Sequence, residues 1–375
     1  MPGTTGDSRT APRRILVVKL AALGDLLTAT PALRALRTTF PAAHIGVLTT
    51  PGSAAALRGL DSLDEMVLFD KFTFDRPSEA LSNVPVGLQL ARTLHEGRWD
   101  TLVLLHHLTT RFGVAKYAAL CLGSGAPRRV GLDNGRGGWF LTEAAPDGGF
   151  GVKHEVDYWL DVVGVLGARH PGEPRLELCI APDDEAFSER YAVSDAVLLG
   201  PGSGKWSTVR RWAPRRFADV GRALHERYGF QPLVLGGTSD DEHVWAREVA
   251  AAIGPQAVVI PAAPSPQALA ALIRKSRLLV ANDSGPVHLA TAVGTPVVAV
   301  FGPSNDRAWG PYPVNDPRHQ VARELLACAP CIHRGHDFGT PDGCAARTCL
   351  AILEVPTVLA AAERALAQAP VGSAV

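Results

Sequence analysis

Four groups of residues in this chain of 375 have the types and spacing to do chemistry on an ionised substrate. The first is Asp283-Ser284-Gly285 with His288, a polar loop opening a helix, with an imidazole one turn along the same face. Free first-turn N–H groups and the positive end of the helix dipole suit an anion such as a diphosphate. The plainer reading is that Asp283 or Ser284 only caps the helix. The second group is Pro201-Gly202-Ser203-Gly204-Lys205 followed by Arg210-Arg211-Trp212. It is either a phosphate loop, in which the planar guanidinium of Arg210 grips two oxygens, or an exposed basic turn. The third is Gly24-Asp25, a carboxylate at a helix start that is either a dipole-stabilised acid or a base. The fourth is Gly236-Gly237 with Asp241 and Glu242. Its glycines let a base or ribose lie against the backbone, and an acid at 241 or 242 accepts ribose hydroxyls.

Lesser candidates surround these. His106-His107 and Arg111 follow an apolar strand, where they suit an anionic sugar or phosphate; a histidine there is equally a satisfied structural residue. Lys153 and His154 open a helix and are either phosphate ligands or plain surface charges. No two aspartates stand two apart, so the charge of a leaving diphosphate falls to Arg210, Ser203, the N–H groups of Ser284 and Gly285, and His288. Cys328, Cys331, Cys344 and Cys349, with His333 and His336 among them, leave three readings open. Reduced packing thiols come first, then a structural zinc, then a disulfide, which a reducing compartment disfavours.

The elements that must position these groups read as α/β. Arg14–Lys19, His44–Thr49, Glu65–Asp70, Asp100–Leu105, Ala196–Gly200, Gln231–Leu235, Leu278–Ala281 and Pro296–Phe301 are apolar runs of strand length, as parallel strands buried on both faces should be. Pro286 near its start and Gly294 at its end bracket the helix after Asp283. A strand, short loop, helix and strand in succession put the loop at the carboxyl edge of a parallel sheet. The proline-rich stretch around 171–182 separates two such halves, giving two Rossmann-like domains that face a central cleft. The expected division is a disordered tail over 1–14, a first domain over 15–170, the linker, a second domain over 183–350, and a C-terminal helix over 351–375 packing back on the first domain. Residues 71–87 read as an exposed segment. Zero formal net charge argues against a nucleic-acid partner. The absence of an apolar run near ~20 residues or of a signal-peptide core predicts a cytoplasmic protein.

The run DSGPVHLATAVGTPVVAVFGP resembles the donor-binding signature of the family 9 glycosyltransferases, the ADP-heptose:lipopolysaccharide heptosyltransferases and their relatives. The similarity continues through Gly24-Asp25, the PGS block with Arg210 and Trp212, and Trp309-Gly310-Pro311. The resemblance implies a GT-B-like fold with the nucleotide diphosphate in the second half and the acceptor in the first. It implies inverting, metal-independent transfer of a heptose from ADP-heptose to a glycan hydroxyl, lipopolysaccharide core or another surface glycan, at the inner membrane surface. Asp25 is then the catalytic base. Ser203, Gly204, Arg210, Asp283, Ser284, Gly285 and His288 hold the diphosphate, and Gly236, Gly237, Asp241 and Glu242 the nucleoside. Gly24, His107, Arg111, Lys153 and His154 face the acceptor. The chain departs from the pattern at Ala21-Ala22-Leu23, where hydroxyl residues are common, and at Ala213, which intervenes before Pro214. Three rivals share the fold: transfer to a small secondary metabolite, a nucleotide-sugar 2-epimerase, and a non-catalytic nucleotide-sugar-binding relative.

Overall fold

A computed structural model describes residues 11–74, 77–191, 195–204 and 208–368. Most of the expected tail, Arg76, Lys205 and Trp206 lie outside them. Six strands form the first sheet: β1 (Arg14–Val18), β2 (His44–Thr49), β3 (Glu65–Leu68), β4 (Thr101–Leu104), β5 (Arg128–Asp133) and β6 (Glu143–Pro146). Six more form the second: β7 (Ala196–Gly200), β8 (Gln231–Leu235), β9 (Val258–Ile260), β10 (Leu278–Asn282), β11 (Val297–Val300) and β12 (His319–Ala322). The orders are β3-β2-β1-β4-β5-β6 and β12-β11-β10-β7-β8-β9, so the two halves repeat one topology. Every pairing within these two sheets is parallel.

In each sheet the order reverses between the first and fourth strands, β1 with β4 and β7 with β10. Loops leaving such a pair diverge to opposite faces and open a crevice at the strands' carboxyl ends. Asp25 follows β1, His106 and His107 follow β4, Ser203 follows β7 and Asp283 follows β10, so sequence order alone sends all of them to these crevices. The strands that place them are fully buried over Ile15–Val18, Val197–Leu199 and Leu278–Ala281. One apolar cluster runs from Ile15, Leu33 and Val47 in the first half to Leu279, Leu289 and Phe301 in the second.

Several contacts join the halves. The Leu23–Leu27 helix meets the Gly285–Val293 helix, and the 3-10 turn Ala55–Leu57 meets the Pro266–Lys275 helix. Arg58 bonds Asp184 at 2.6 Å, and the Tyr312 hydroxyl donates to Asp157 at 3.0 Å. Residues 168–181, within and just before the expected linker, contain no helix or strand. Among the described residues no helix is long and apolar enough to cross a membrane.

One expectation needs correction. The C-terminal helix, Val355–Ala367, does not pack on the first domain. Its apolar face (Val358, Ala361, Ala362 and Ala365) closes over β10, β11, β12 and the Pro214–Tyr228 helix of the second. The reason is the turn before it: the carbonyl of buried Leu353 accepts the Trp212 indole N–H at 3.0 Å and is held by Arg216 as well. The 71–87 segment, expected to be exposed, has no buried side chain among those described, and it contains a 3-10 turn (Lys71–Phe74) and a helix (Pro77–Ser82) before it enters the Val84–Glu96 helix. Leu353→Ala should lower stability in urea denaturation by about 2–5 kcal/mol, the cost of emptying a buried leucine site. A loss under about 1 kcal/mol would mean that the Leu353 side chain adds little to the docking of the helix.

Candidate active site

The two crevices meet at Gly24 and His288. A Cβ at Gly24 would stand 2.5 Å from His288 Cδ2, and one at Gly285 would stand 3.1 Å from the Leu23 side chain. The Leu23–Leu27 and Gly285–Val293 helices therefore approach start to start. Asp25 is half-buried in the first turn of the former. Its carboxylate has no hydrogen-bond partner among the described residues. Lys19, Arg210, His288 and His333 all lie within electrostatic reach of it.

Across from Asp25, Arg210 Nη1 bonds Asp283 at 3.0 Å, with Asp283 buried. Burial opposes the charge on Arg210, but Asp283 and then Asp25 favour it, and its pKa is raised. Arg210 Nε and His288 Nδ1 are buried with no partner among the described residues. Burial depresses the His288 pKa and Arg210 adds to the effect, so the ring is neutral near pH 7 and meets an anion as a hydrogen-bond donor. The Gly285–Val293 helix has no side-chain cap: Ser284 Oγ donates instead to the Asn282 carbonyl at 2.8 Å. Asp283, expected at the diphosphate, has its carboxylate on Arg210 and so fixes the orientation of that guanidinium.

The loops around this pair are tied from within. Glu242, expected to accept ribose hydroxyls, is buried and already filled. Oε1 accepts the N–H groups of Ser203 and Gly204 at 2.9 and 2.7 Å, and Oε2 that of Thr238 at 3.0 Å. A Cβ at Gly202 or Gly237 would stand 2.4 or 2.5 Å from the Glu242 side chain, which is why glycine occupies both positions. In this arrangement Glu242 shapes the phosphate loop, and Asp241 beside it is exposed. Gly236 donates its N–H to the Ile260 carbonyl at 2.8 Å. Arg211, named in the sequence only as the neighbour of Arg210, is buried with Nε 3.3 Å from Ser203 Oγ and its guanidinium over Trp245. Asn282, read as part of the loop, ends β10 with Oδ1 on the Trp212 N–H at 3.0 Å and Nδ2 on the Pro201 carbonyl at 2.7 Å. The signal for both was a polar group wedged between a glycine turn and an apolar run.

The lesser candidates mostly turn inward. His107 does not face solvent. Nδ1 lies 2.9 Å from the Asp147 carboxylate and Nε2 3.1 Å from Glu155, with all three side chains buried. Burial works against its charge, but the two carboxylates win and raise its pKa to about 9. His154 is the N-cap of the Glu155–Val165 helix, and its Nε2 donates across the domain boundary to the Gly310 carbonyl at 2.9 Å. Burial depresses its pKa to about 4. Both histidines have partners within the protein on both ring nitrogens. Lys153 pairs with Asp161, and Arg111 is exposed at the start of the Arg111–Gly123 helix. Lys19, which sequence reasoning passed over, and His106, named there beside His107, stand behind the Asp25 loop. Lys19 is buried with Nζ 3.8 Å from the Trp159 ring centroid, its pKa depressed by burial to about 8, and His106 Nε2 accepts the Leu20 N–H at 2.9 Å. Cys328, Cys331, Cys344 and Cys349 are free thiols, and among the described residues no three His, Cys, Asp or Glu side chains converge as a metal site.

The sequence comparisons with known proteins agree on one family. The model of glycosyltransferase family 9 (heptosyltransferase) matches residues 88–340. The lipopolysaccharide core heptosyltransferase OpsX of Haemophilus influenzae is 23% identical over 307 residues, 80% of this chain and 82% of that protein. A family 9 glycosyltransferase from Veillonella parvula superposes with a TM-score of 0.72 at 23% identity, covering 95% of this chain and 98% of the other. The E. coli ADP-heptose lipopolysaccharide heptosyltransferase II superposes at 0.69 with 19% identity, covering 95% and 99%. The two solved structures speak for the two-sheet GT-B fold.

The buried cluster at His107 sets a pH dependence. Its pKa rises from 6.5 to about 9 in the fold, so its contribution is complete below about pH 6.5 and is lost as pH climbs through about 9. At about 1.4 kcal/mol per tenfold change in acidity it is worth roughly 3 kcal/mol. For Asp147 burial acts upward, but the bond to His107 prevails and holds its pKa below 3.8, so its share is lost only in acid. The stability gap between wild type and His107→Gln, read from urea midpoints, should be widest near pH 6 and shrink towards pH 9.5. A constant gap would mean that His107 is uncharged in the fold.

Proposed function

Because the chain belongs to glycosyltransferase family 9, we propose that it transfers a heptose, or a closely related sugar, from ADP-heptose to a hydroxyl of a lipopolysaccharide core or other surface glycan. Transfer proceeds with inversion and without a metal ion, in the cytoplasm, on an acceptor presented at the inner membrane surface. What carries the reading is one juxtaposition: an unpartnered carboxylate on the first half opposite an ion-paired arginine and an uncapped helix start on the second. The names of the relatives, a lipopolysaccharide core heptosyltransferase and an ADP-heptose enzyme, supply the sugar and the nucleotide.

The chemistry follows from where the charges stand. Asp25 takes the proton of the acceptor hydroxyl as the oxygen attacks the anomeric carbon. The bond to the diphosphate breaks on the opposite face, which is the geometry inversion requires. Charge developing on the departing diphosphate is met by Arg210, the first-turn N–H groups at Ser284 and Gly285, and a neutral His288 donating a hydrogen bond. These donors are fixed before substrate arrives and need no reorganisation during the reaction. The absence of an Asp-x-Asp pair anywhere in the chain fits a leaving group stabilised by protein donors.

Two variants test the halves separately, with ADP release from ADP-heptose as the assay. Asp25→Asn should cut turnover by about 10²–10⁴-fold and leave ADP affinity and melting temperature unchanged, as loss of a general base does. A fully active Asp25→Asn protein would remove the base from the scheme. Arg210→Ala should weaken ADP binding by about ten- to a hundredfold, the worth of a charge-assisted hydrogen bond of roughly 1.5–3 kcal/mol, with Arg210→Lys recovering part. Wild-type affinity in Arg210→Ala would place the diphosphate elsewhere.

A further inference from the structure

A hairpin from the second half, β13 (Ile332–Arg334) and β14 (Asp337–Gly339), leans across the cleft onto the first. The N–H groups of Cys331 and Ile332 donate to the Pro303 carbonyl at 2.9 and 3.0 Å, fixing its base to the second half. The Phe150 N–H donates to the Gly335 carbonyl at 2.7 Å, fixing its tip to the first. Buried Asn305 clamps the two together, with Nδ2 on the His333 carbonyl at 2.9 Å and on the Phe150 carbonyl at 3.3 Å. Between these anchors His333 is held at φ 56°, a conformation that a residue with a Cβ adopts only where its surroundings over-determine it.

The His333 ring is half-buried against aromatic faces, its centroid 4.5 Å from Trp309, 5.0 Å from Phe150 and 5.5 Å from Phe338. Its two nitrogens have no hydrogen-bond partner among the described residues. The ring stands within electrostatic reach of Asp25, Arg210, Asp283 and His107. Burial keeps it neutral near pH 7, so one nitrogen donates and the other accepts. Flat apolar walls with a single polar edge are the usual lining of small-molecule sites, where the polar edge fixes orientation. A group close to both the base and the diphosphate grip stands beside the one ring that must pass between them.

We propose that His333, backed by Trp309 and Phe150, recognises the sugar of the donor by hydrogen-bonding a hydroxyl of its ring and so sets the anomeric carbon towards Asp25. This rests on the nucleotide-sugar reading above. It makes His333 a specificity-determining residue delivered by the hairpin, separate from the nucleotide and diphosphate contacts.

Calorimetry on the full chain with ADP and with ADP-heptose tests it, using wild type, His333→Ala and His333→Phe. Phenylalanine keeps a ring against Trp309 and Phe150 and removes only the nitrogens. The wild type should bind ADP-heptose more tightly than ADP. Both variants should keep ADP affinity within about twofold and lose about five- to tenfold for ADP-heptose, the share of a neutral hydrogen bond. His333→Phe should do so with an unchanged melting temperature. Wild-type affinity for ADP-heptose in His333→Phe, or an equal loss for both ligands, would overturn the assignment. A wild-type protein that binds neither ligand would overturn the nucleotide-sugar reading itself, and this inference with it.

Discussion

Gly24 and His288 come together so closely that the hydrogen of a glycine is the most that fits between them. This approach sets the spacing of the two halves. Both sheets present the reversal point of their strand order here, and the helices that follow β1 and β10 start against each other. A side chain at position 24 would have to displace the imidazole or part the halves, and either shift would separate Asp25 from Arg210. The contact of part-buried Leu23 with Gly285 and the apolar cluster running between the halves hold the approach in place.

Around that point the buried charges divide into two kinds. Arg210 with Asp283, Arg211 with Ser203 and Glu242, and His107 between Asp147 and Glu155 are satisfied within the protein. Removing one member of such a pair strands a charge in a medium that cannot solvate it, so the loops carrying these residues are held in one geometry. Asp25, His288 Nδ1 and Arg210 Nε are the second kind, polar atoms with no partner among the described residues. The rigid first kind positions the second: Asp283 holds Arg210, and Glu242 holds the N–H groups of Ser203, Gly204 and Thr238.

The strands were legible because parallel strands buried on both faces leave continuous apolar runs, and Leu278–Asn282 and Gln231–Leu235 fall where those runs stand. The helix after Asp283 was legible from Pro286 and Gly294, the latter left-handed at φ 77°. What did not show was the direction in which polar side chains point. His107 and His154 sit at strand and helix ends just as ligands do, and only the carboxylates at 147 and 155 and the carbonyl at 310, distant in sequence, reveal them as internal. Lys19 read as the polar end of an apolar strand, and nothing local announced the Trp159 ring beneath it. The C-terminal helix was misplaced for the same reason, because its docking is decided by Trp212 and Arg216, more than a hundred residues earlier.

That last helix has a consequence for how the molecule is put together. Since it stays with β10, β11 and β12, the described residues of each lobe come from one length of chain, and among them the polypeptide passes from one lobe to the other a single time, through residues 168–181, with no second covalent tether. The lobes are coupled by contacts alone, which makes the joint a reversible association of two surfaces at the high local concentration that a short connector imposes. Such an architecture can be severed at the connector and rebuilt from two polypeptides, each bringing its own complete sheet.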